Sequence, residues 1–247
     1  MVCIVLAAGY ATRLYPLTEN FPKPLLEVQG ISILDRLVDD LDKCKKITKY
    51  VIVSNHRYIE HFNSWQKNKK LSAPVVILDD GSVSNETRLG AVKDVYFAIE
   101  SEKIDEDVIV IAGDNVLDFS LNKLVGYYGE KGSTCIMRYF EESEEKLRKC
   151  GVVKVSEQDE VLEMKEKPQK PESHWCVPPF YIYAKNDVPM VKKGIDEGCG
   201  TDAPGSFIAW LCTETRVYAM EMPGSRFDIG NLESYERAQK EYTGIIK

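Results

Sequence analysis

Cysteine and histidine chemistry has little to work with in this chain of 247 residues. The seven cysteines (Cys3, Cys44, Cys135, Cys150, Cys176, Cys199 and Cys212) include no Cys-x-x-Cys pair. Their odd number and wide spacing provide no disulfide framework and point to reduced thiols in a cytoplasmic protein. The three histidines, His56, His61 and His174, stand at no ligand spacing from a cysteine, which argues against a zinc site. A membrane-spanning run is also missing. The longest apolar stretch near the N-terminus, Val2 to Ala8, has no basic leader and is too short to cross a bilayer, so it reads as a buried strand. Positive charge is not in excess: the formal net charge is −7, which excludes a global attraction for nucleic acid or anionic lipid. An acidic chain that binds a polyphosphate must rely on a few well-placed cations and a metal.

What is present is an ordinary globular composition, 44% apolar and 29% charged, with length enough for its own core. Short β-branched runs alternate with segments of helical period. Strands are expected at Val2–Leu6, Tyr50–Ser54, Pro74–Leu78, Asp107–Ala112, Thr134–Tyr139, Val152–Val155, Phe180–Tyr183 and Thr215–Ala219. Leu34, Leu37, Val38 and Leu41 share one helical face behind Ser32, a good N-cap, and Leu89, Val92, Tyr96 and Ile99 define a second helix. Further helices are expected near 120–128, 206–212 and 232–242. Glu141–Lys149 reads as a solvated helix or loop, and Glu163–Ser173, though rich in Lys, Glu and Pro, is bracketed by strand signals and is not a linker. The expected fold is a single α/β, Rossmann-like domain with a mixed, mostly parallel central sheet flanked by helices. It would span 1–247 as one domain.

Strand Val2–Leu6 runs into Ala7-Ala8-Gly9-Tyr10-Ala11-Thr12-Arg13-Leu14. The turn after the first strand of a parallel sheet lies at its carboxyl edge, where such sheets bind ligands. Small residues there let backbone N–H groups approach an anion, and Arg13 adds a forked cation. Neither Gly-x-Gly-x-x-Gly nor a Gly-Lys-Ser/Thr P-loop is present. Downstream, Lys23 is held between Pro22 and Pro24, which stiffens a lysine that could be aimed at a phosphate. By themselves these residues are also compatible with turn chemistry and a solvated lysine. The same two readings apply to Asp114 in Gly113-Asp114-Asn115, to Asp228 in Phe227-Asp228-Ile229-Gly230, and to Glu166-Lys167-Pro168.

Taken together, Leu6-Ala7-Ala8-Gly9-Tyr10-Ala11-Thr12-Arg13-Leu14 with Pro16, Thr18 and Pro22-Lys23-Pro24-Leu25-Leu26 resembles the signature of the sugar-1-phosphate nucleotidyltransferases, the glucose-1-phosphate thymidylyltransferases in particular. The resemblance extends to Gly113-Asp114-Asn115, Gly151-Val152-Val153, Glu166-Lys167-Pro168 and the late aromatic-Asp-x-Gly, and so covers nearly the whole chain. It implies a glycosyltransferase-A-like fold and the joining of an NTP to a sugar 1-phosphate. Leu6, Ala8, Gly9, Ala11, Thr12 and Arg13 would wrap the triphosphate. Arg13 would hold the departing β- and γ-phosphates, and Lys23 would contact the α-phosphate. Asp114 and Asp228 would bind Mg²⁺. Gly151 and Glu166 would face the sugar, and Lys167 would bind its phosphate.

The sequence also departs from that pattern. Ala11 replaces a usual glycine. The base-reading segment reads Asp79-Asp80-Gly81 through Thr87-Arg88-Leu89, so Asp80 would take the base-reading place and Arg88 would reach the nucleotide or acceptor. Thr201–Gly205 differs from the usual sugar-contacting region. These departures keep open a cytidylyltransferase acting on a non-sugar phosphate or phosphonate. A related glycosyltransferase would not need both Arg13 and Lys23, and a non-catalytic nucleotide-sugar sensor would have no use for all five charged positions. Partners are an NTP and a phosphorylated small molecule, with neither nucleic acid nor membrane; homo-oligomerisation is left open.

Overall fold

Five residues, Val2–Leu6, form β1, and four of them are fully buried. An apolar strand covered on both faces belongs in the middle of an α/β sheet. The computed structural model describes residues 1–245 and has an α/β fold whose mixed central sheet contains ten strands flanked by helices. The chain folds as two compact units: the first takes Met1–Arg88, Ile111–Asn122 and the segment from Pro223 onward, the second Leu89–Val110 and Lys123–Met222.

In the first unit β1 pairs in parallel with β4 (Lys49–Ser54), and β4 with β5 (Val75–Asp79). Helices α1 (Ile33–Asp42) and α2 (Ile59–Asn68) provide the crossovers that parallel pairing requires. As expected, Ser32 caps α1 by accepting from the Asp35 N–H, and Leu34, Leu37, Val38 and Leu41 are buried along one face. Each such side chain stabilises the fold by about 1.5–3 kcal/mol through removal from water. Two small ribbons complete the unit. β2 (Glu27–Val28) pairs with β3 (Ile31–Ser32), and β7 (Asn115–Leu117) pairs antiparallel with β14 (Arg226–Asp228), which leads into α8 (Leu232–Glu241).

The second unit contains α3 (Ala91–Glu102), most of β6 (Val108–Ala112) and α4 (Asn122–Lys131). Its strands are β8 (Cys135–Phe140), β9 (Gly151–Val155), β10 (Val161–Glu166), β11 (Trp175–Val177), β12 (Phe180–Tyr183) and β13 (Tyr218–Glu221). Helices α5 (Glu144–Leu147), α6 (Met190–Asp196) and α7 (Gly205–Leu211) connect them. Here antiparallel pairing prevails: β10 with β9, β9 with β11, β11 and β12 with β8, while β13 runs parallel to β8.

The structure departs from the expectations at several points. Helix α3 begins at Ala91, so Leu89 lies outside it. Gly90 takes φ +95°, and a Cβ there would come within 2.5 Å of the Thr201 carbonyl oxygen, so the segment cannot coil until Gly90 has passed. The strand expected at Thr215–Ala219 is displaced to Tyr218–Glu221. Helices α2 and α6 and strand β11 had no strong periodic signal. The expectation of reduced thiols is corrected for one pair: Cys150 and Cys176 form a disulfide, closing strands β9 and β11 over the buried cluster of Leu147 and Val152. Cys150, just before β9, and Cys176 in β11, 26 residues apart in sequence, come to a Cα separation of 6.1 Å, within bridging range, which spacing alone does not reveal. Cys3, Cys44, Cys135, Cys199 and Cys212 are free. Among the described residues no helix is long and apolar enough to cross a membrane.

Candidate active site

The loop after β1 is tied down by buried polar side chains. Asn55, at the end of β4, donates from Nδ2 to the Ala8 carbonyl at 3.0 Å. Buried Thr18 donates to the Ala11 carbonyl at 2.8 Å, and Tyr58 donates to the Thr18 carbonyl at 2.6 Å. The Tyr10 hydroxyl donates to the Ser82 carbonyl, binding this loop to the turn that follows β5. Ala11 adopts φ 48°, ψ 40°, the left-handed conformation its methyl group resists, and the turn Thr12–Leu14 follows at once. Gly9, Thr12 and Arg13 are exposed at this rim, whereas Leu6 and Ala8 lie beneath it.

Lys23 starts a second short turn, Lys23–Leu25, behind extended Pro22. Gly113 lets this segment approach closely: its N–H donates to the Leu6 carbonyl at 3.0 Å, and a Cβ on Gly113 would stand 3.0 Å from the Pro24 ring. Lys23 Nζ therefore reaches Asp114 Oδ2 at 2.7 Å and the Ile229 carbonyl at 3.0 Å. Asp114 Oδ1 accepts from Asn115 Nδ2 at 2.7 Å. In the β7–β14 ribbon Asp228 stands opposite Asn115, and the Ile229 N–H donates to the Asp114 carbonyl. A Cβ on Gly230 would lie 3.9 Å from both Arg13 Nη2 and Asp228 Oδ1. Arg13, Lys23, Asp114 and Asp228 are thus brought to one place within the first unit, from four separate stretches of chain.

The two aspartates are pushed in opposite directions. Desolvation raises the Asp114 carboxyl, but the charge and hydrogen bond of Lys23, helped by Arg226, outweigh it and hold the group below the usual range. Asp228 is raised, first by the protein packed around a side chain that still keeps 56% of its exposure and then by the neighbouring Asp114 charge, against the pull of Arg226, Lys23 and Arg13. Two carboxylates that disfavour each other's ionisation form a donor set that a divalent cation relieves. Among the described residues no cluster of three or more His, Cys, Asp or Glu side chains forms a metal cage. A cation on Asp114 and Asp228 would take its other ligands from phosphate oxygens and water, the habit of Mg²⁺. The residues fit that ion.

In the second unit, Glu166 ends β10 and Lys167 follows it. The Glu166 carboxyl lies against two glycines. A Cβ would meet its Oε2 at 2.2 Å from Gly205 and at 3.0 Å from Gly151. Burial raises its pKa, opposed by Lys167 and supported by Asp202. Lys167 takes φ 47°, its N–H donates to the Cys150 carbonyl at 3.0 Å, and its ammonium is half-exposed, 3.9 Å from Asp202. Gly151, Glu166 and Lys167 are therefore neighbours, as the resemblance implied. Gly205 and Asp202 were not singled out from the sequence, because their stretch diverges from the family pattern.

Two further expected residues are placed differently. Asp80 Oδ1 accepts from both the N–H and the hydroxyl of Ser82 at 2.7 Å, while Oδ2 is buried without a hydrogen-bond partner, and burial raises the group. It sits in the turn that Tyr10 ties to the loop after β1. Arg88 is exposed, with Nη1 3.4 Å from Asn85 Oδ1. Asn115 and Arg226 belong to the cluster and were missed. Alternation along a strand was the available signal for Arg226, two residues before Asp228 and on the same face.

Residues 2–244 match the family model described as nucleotidyl transferase. The chain is 25% identical to a glucose-1-phosphate adenylyltransferase of Fervidobacterium nodosum, over 95% of this chain and 59% of that one. It is 24% identical to the UTP–glucose-1-phosphate uridylyltransferase AglF of Haloferax volcanii, over 97% of this chain and 96% of that one. It superposes on a UDP-glucose pyrophosphorylase solved with UDP-glucose with a TM-score of 0.81 at 17% identity, covering 98% of this chain and 97% of the other, a likeness of fold. The chain spans about three-fifths of the length of several curated relatives that it matches.

Proposed function

The chain belongs to the nucleotidyl transferase family, and from that premise we propose that it is a cytoplasmic enzyme that transfers a nucleoside monophosphate from an NTP to a sugar 1-phosphate. The products are an NDP-sugar and pyrophosphate, and the cofactor is Mg²⁺. One observation carries the reading: Lys23 is fixed by Asp114 and the Ile229 carbonyl, with Arg13 and Asp228 beside it, at the rim of a tied-down phosphate-type loop.

In the proposed reaction a phosphate oxygen of the acceptor attacks the α-phosphorus in line, and the bond from that phosphorus to the pyrophosphate oxygen breaks. The attacking oxygen is already anionic near neutral pH, so no general base is required and no covalent enzyme intermediate is invoked. Positioning and charge neutralisation supply the catalysis. Arg13, exposed and forked, binds the β- and γ-phosphates and stabilises the charge that gathers on them. Lys23 contacts the α-phosphate; its bonds to Asp114 and Ile229 keep a flexible side chain aimed before substrate arrives. A Mg²⁺ ion held by Asp114 and Asp228 would supply Lewis-acid neutralisation of the phosphate oxygens. Lys167 holds the acceptor phosphate, and Glu166 accepts hydrogen bonds from sugar hydroxyls. The ionised carboxylate is the stronger acceptor; burial disfavours that form and Lys167 favours it.

The two named relatives support a glucose 1-phosphate acceptor while differing in the nucleotide, adenylyl in one and uridylyl in the other. The base is therefore set by experiment: pyrophosphate release measured across ATP, GTP, CTP, UTP and dTTP with a panel of sugar 1-phosphates and non-sugar phosphates. Release that needs both an NTP and a sugar 1-phosphate is the expected outcome. Release only with a non-sugar phosphate or phosphonate would replace this reading with the cytidylyltransferase type, and no release with any pair would leave a binding protein.

A further inference from the structure

We propose that Arg226 is a positioning residue for the metal-holding carboxylates, acting by fixing the amide of Asn115. The inference rests on the reading of Asp114 and Asp228 as the Mg²⁺ site.

Arg226 is a third cation in this cluster, after Arg13 and Lys23, and a cation beside a metal site competes with the metal. Its side chain is 15% exposed, and Nη1 lies 3.7 Å from Asp228 Oδ2. The stronger contact points elsewhere: Nη1 donates to Asn115 Oδ1 at 2.6 Å. Asn115 is 1% exposed. An asparagine amide has an accepting end and a donating end, and its neighbours decide which way each one faces. With the guanidinium on Oδ1, Nδ2 must turn to Asp114 Oδ1, where it donates at 2.7 Å. A flipped amide would set N–H against guanidinium and oxygen against carboxylate, two repulsive contacts at once. Arg226 therefore dictates the orientation that holds one oxygen of Asp114, while Lys23 holds the other.

The backbone makes this arrangement exact enough to act. Arg226 and Asp228 are two residues apart on β14, so their side chains leave the same face. Asp228 is paired across the ribbon with Asn115. One guanidinium thereby reaches the residue opposite one aspartate and, through it, the other aspartate.

Two effects on metal affinity oppose each other. Loss of Arg226 removes a repelling charge, and it also frees Asn115 and hence Asp114. The repulsion is weakened by solvent, since the Asp228 side chain is 56% exposed. Loss of a hydrogen-bonding partner that orients a ligand typically costs 10–100-fold in metal affinity; Asn115 is that partner for Asp114, and Arg226, one step further out, is expected at the low end of the range. Orientation is the larger effect, so removal of Arg226 weakens metal binding.

The test is titration of Mn²⁺ alone into nucleotide-free protein, with free Mn²⁺ read by electron paramagnetic resonance, for the parent, Arg226→Met and Arg226→Lys. Thermal midpoints in EDTA report folding separately. The expected result is about tenfold weaker Mn²⁺ binding by Arg226→Met. Arg226→Lys should fall between, because an ammonium can still donate to Asn115 Oδ1. Binding by folded Arg226→Met as tight as the parent's, or tighter, overturns the proposal. Should Arg226→Met not fold, parent-like affinity in Arg226→Lys overturns it instead. A parent that binds no Mn²⁺ removes the metal site and this inference with it, an outcome distinct from the parent's pyrophosphate release, which tests the transferase reading.

Discussion

The surroundings of Asp114 and those of Glu166 are built on opposite plans. Around Asp114 the charges are already engaged with one another: Lys23 and Asn115 each hold one of its oxygens, and Arg226 holds Asn115. Around Glu166 the charges are set out but loosely joined. Lys167 stands 3.9 Å from Asp202, and the Glu166 carboxyl is confined by glycines rather than by donors. A pre-aimed cluster suits a triphosphate, whose charges are the same for every base. A half-exposed lysine beside a carboxyl set against glycines suits an acceptor whose hydroxyl pattern varies. On the proposed function, the first unit would carry the chemistry and the second the choice of acceptor.

That division breaks most visibly at the charged cluster. Lys23→Ala or Arg13→Ala should lower kcat on the order of 10²–10³-fold while leaving acceptor KM within a few-fold, and steady-state kinetics with purified folded protein would check it. Asp114→Asn should lose the Mg²⁺-dependent rate altogether in a metal titration. Reduction of Cys150–Cys176, or Cys150→Ser with Cys176→Ser, should cost about 2–4 kcal/mol of stability, read from urea unfolding. Because the Cys150 carbonyl holds the Lys167 N–H, reduction should also raise acceptor KM more than NTP KM.

Gly205→Ala sharpens the contrast. The new methyl would stand 2.2 Å from Glu166 Oε2 and 2.9 Å from Met164 Cε, both ends of flexible side chains, so the fold survives while the carboxyl is displaced. Acceptor KM should rise roughly tenfold or more with NTP KM unchanged. A pH effect follows from Glu166. Its folded pKa is raised, so between the ordinary glutamate value and that raised value the folded chain binds more protons than the unfolded one. Its contribution to stability therefore falls as pH rises through that window. Glu166→Gln should flatten that fall in denaturant midpoints measured across it. The smallest effect expected is at Ala11, held at φ 48°: Ala11→Gly should stabilise the chain by about 1 kcal/mol without changing kcat.

Much of the first unit was legible because its signals are local. Val2–Leu6 could be little else than a buried strand, Ser32 announced the start of α1, and the Pro-Lys-Pro stretch marked a lysine held stiffly. Sequence could not give the partners. Nothing local says that Lys23 meets Asp114, 91 positions away, or that Arg226 meets Asn115, 111 positions away. The second unit was harder to read. Short strands such as Trp175–Val177 carry too few residues for a period to register, and Leu89 followed a helical pattern that Gly90 interrupts. Cys150–Cys176 was hidden because the contact depends on how β11 folds back beside the start of β9, and the surroundings of Glu166 because Gly205 acts through the space it leaves.

The central claim is that this cluster joins an NTP to a sugar 1-phosphate. Phosphorus NMR of purified chain with Mg²⁺, one productive NTP and its sugar 1-phosphate tests it most directly. The account predicts that the sugar phosphate resonance moves into the diphosphate region of an NDP-sugar while pyrophosphate appears in equal amount, and that neither change occurs when acceptor or Mg²⁺ is omitted. Phosphate or pyrophosphate released without the acceptor, or an unchanged spectrum for every NTP and sugar 1-phosphate pair, would contradict it.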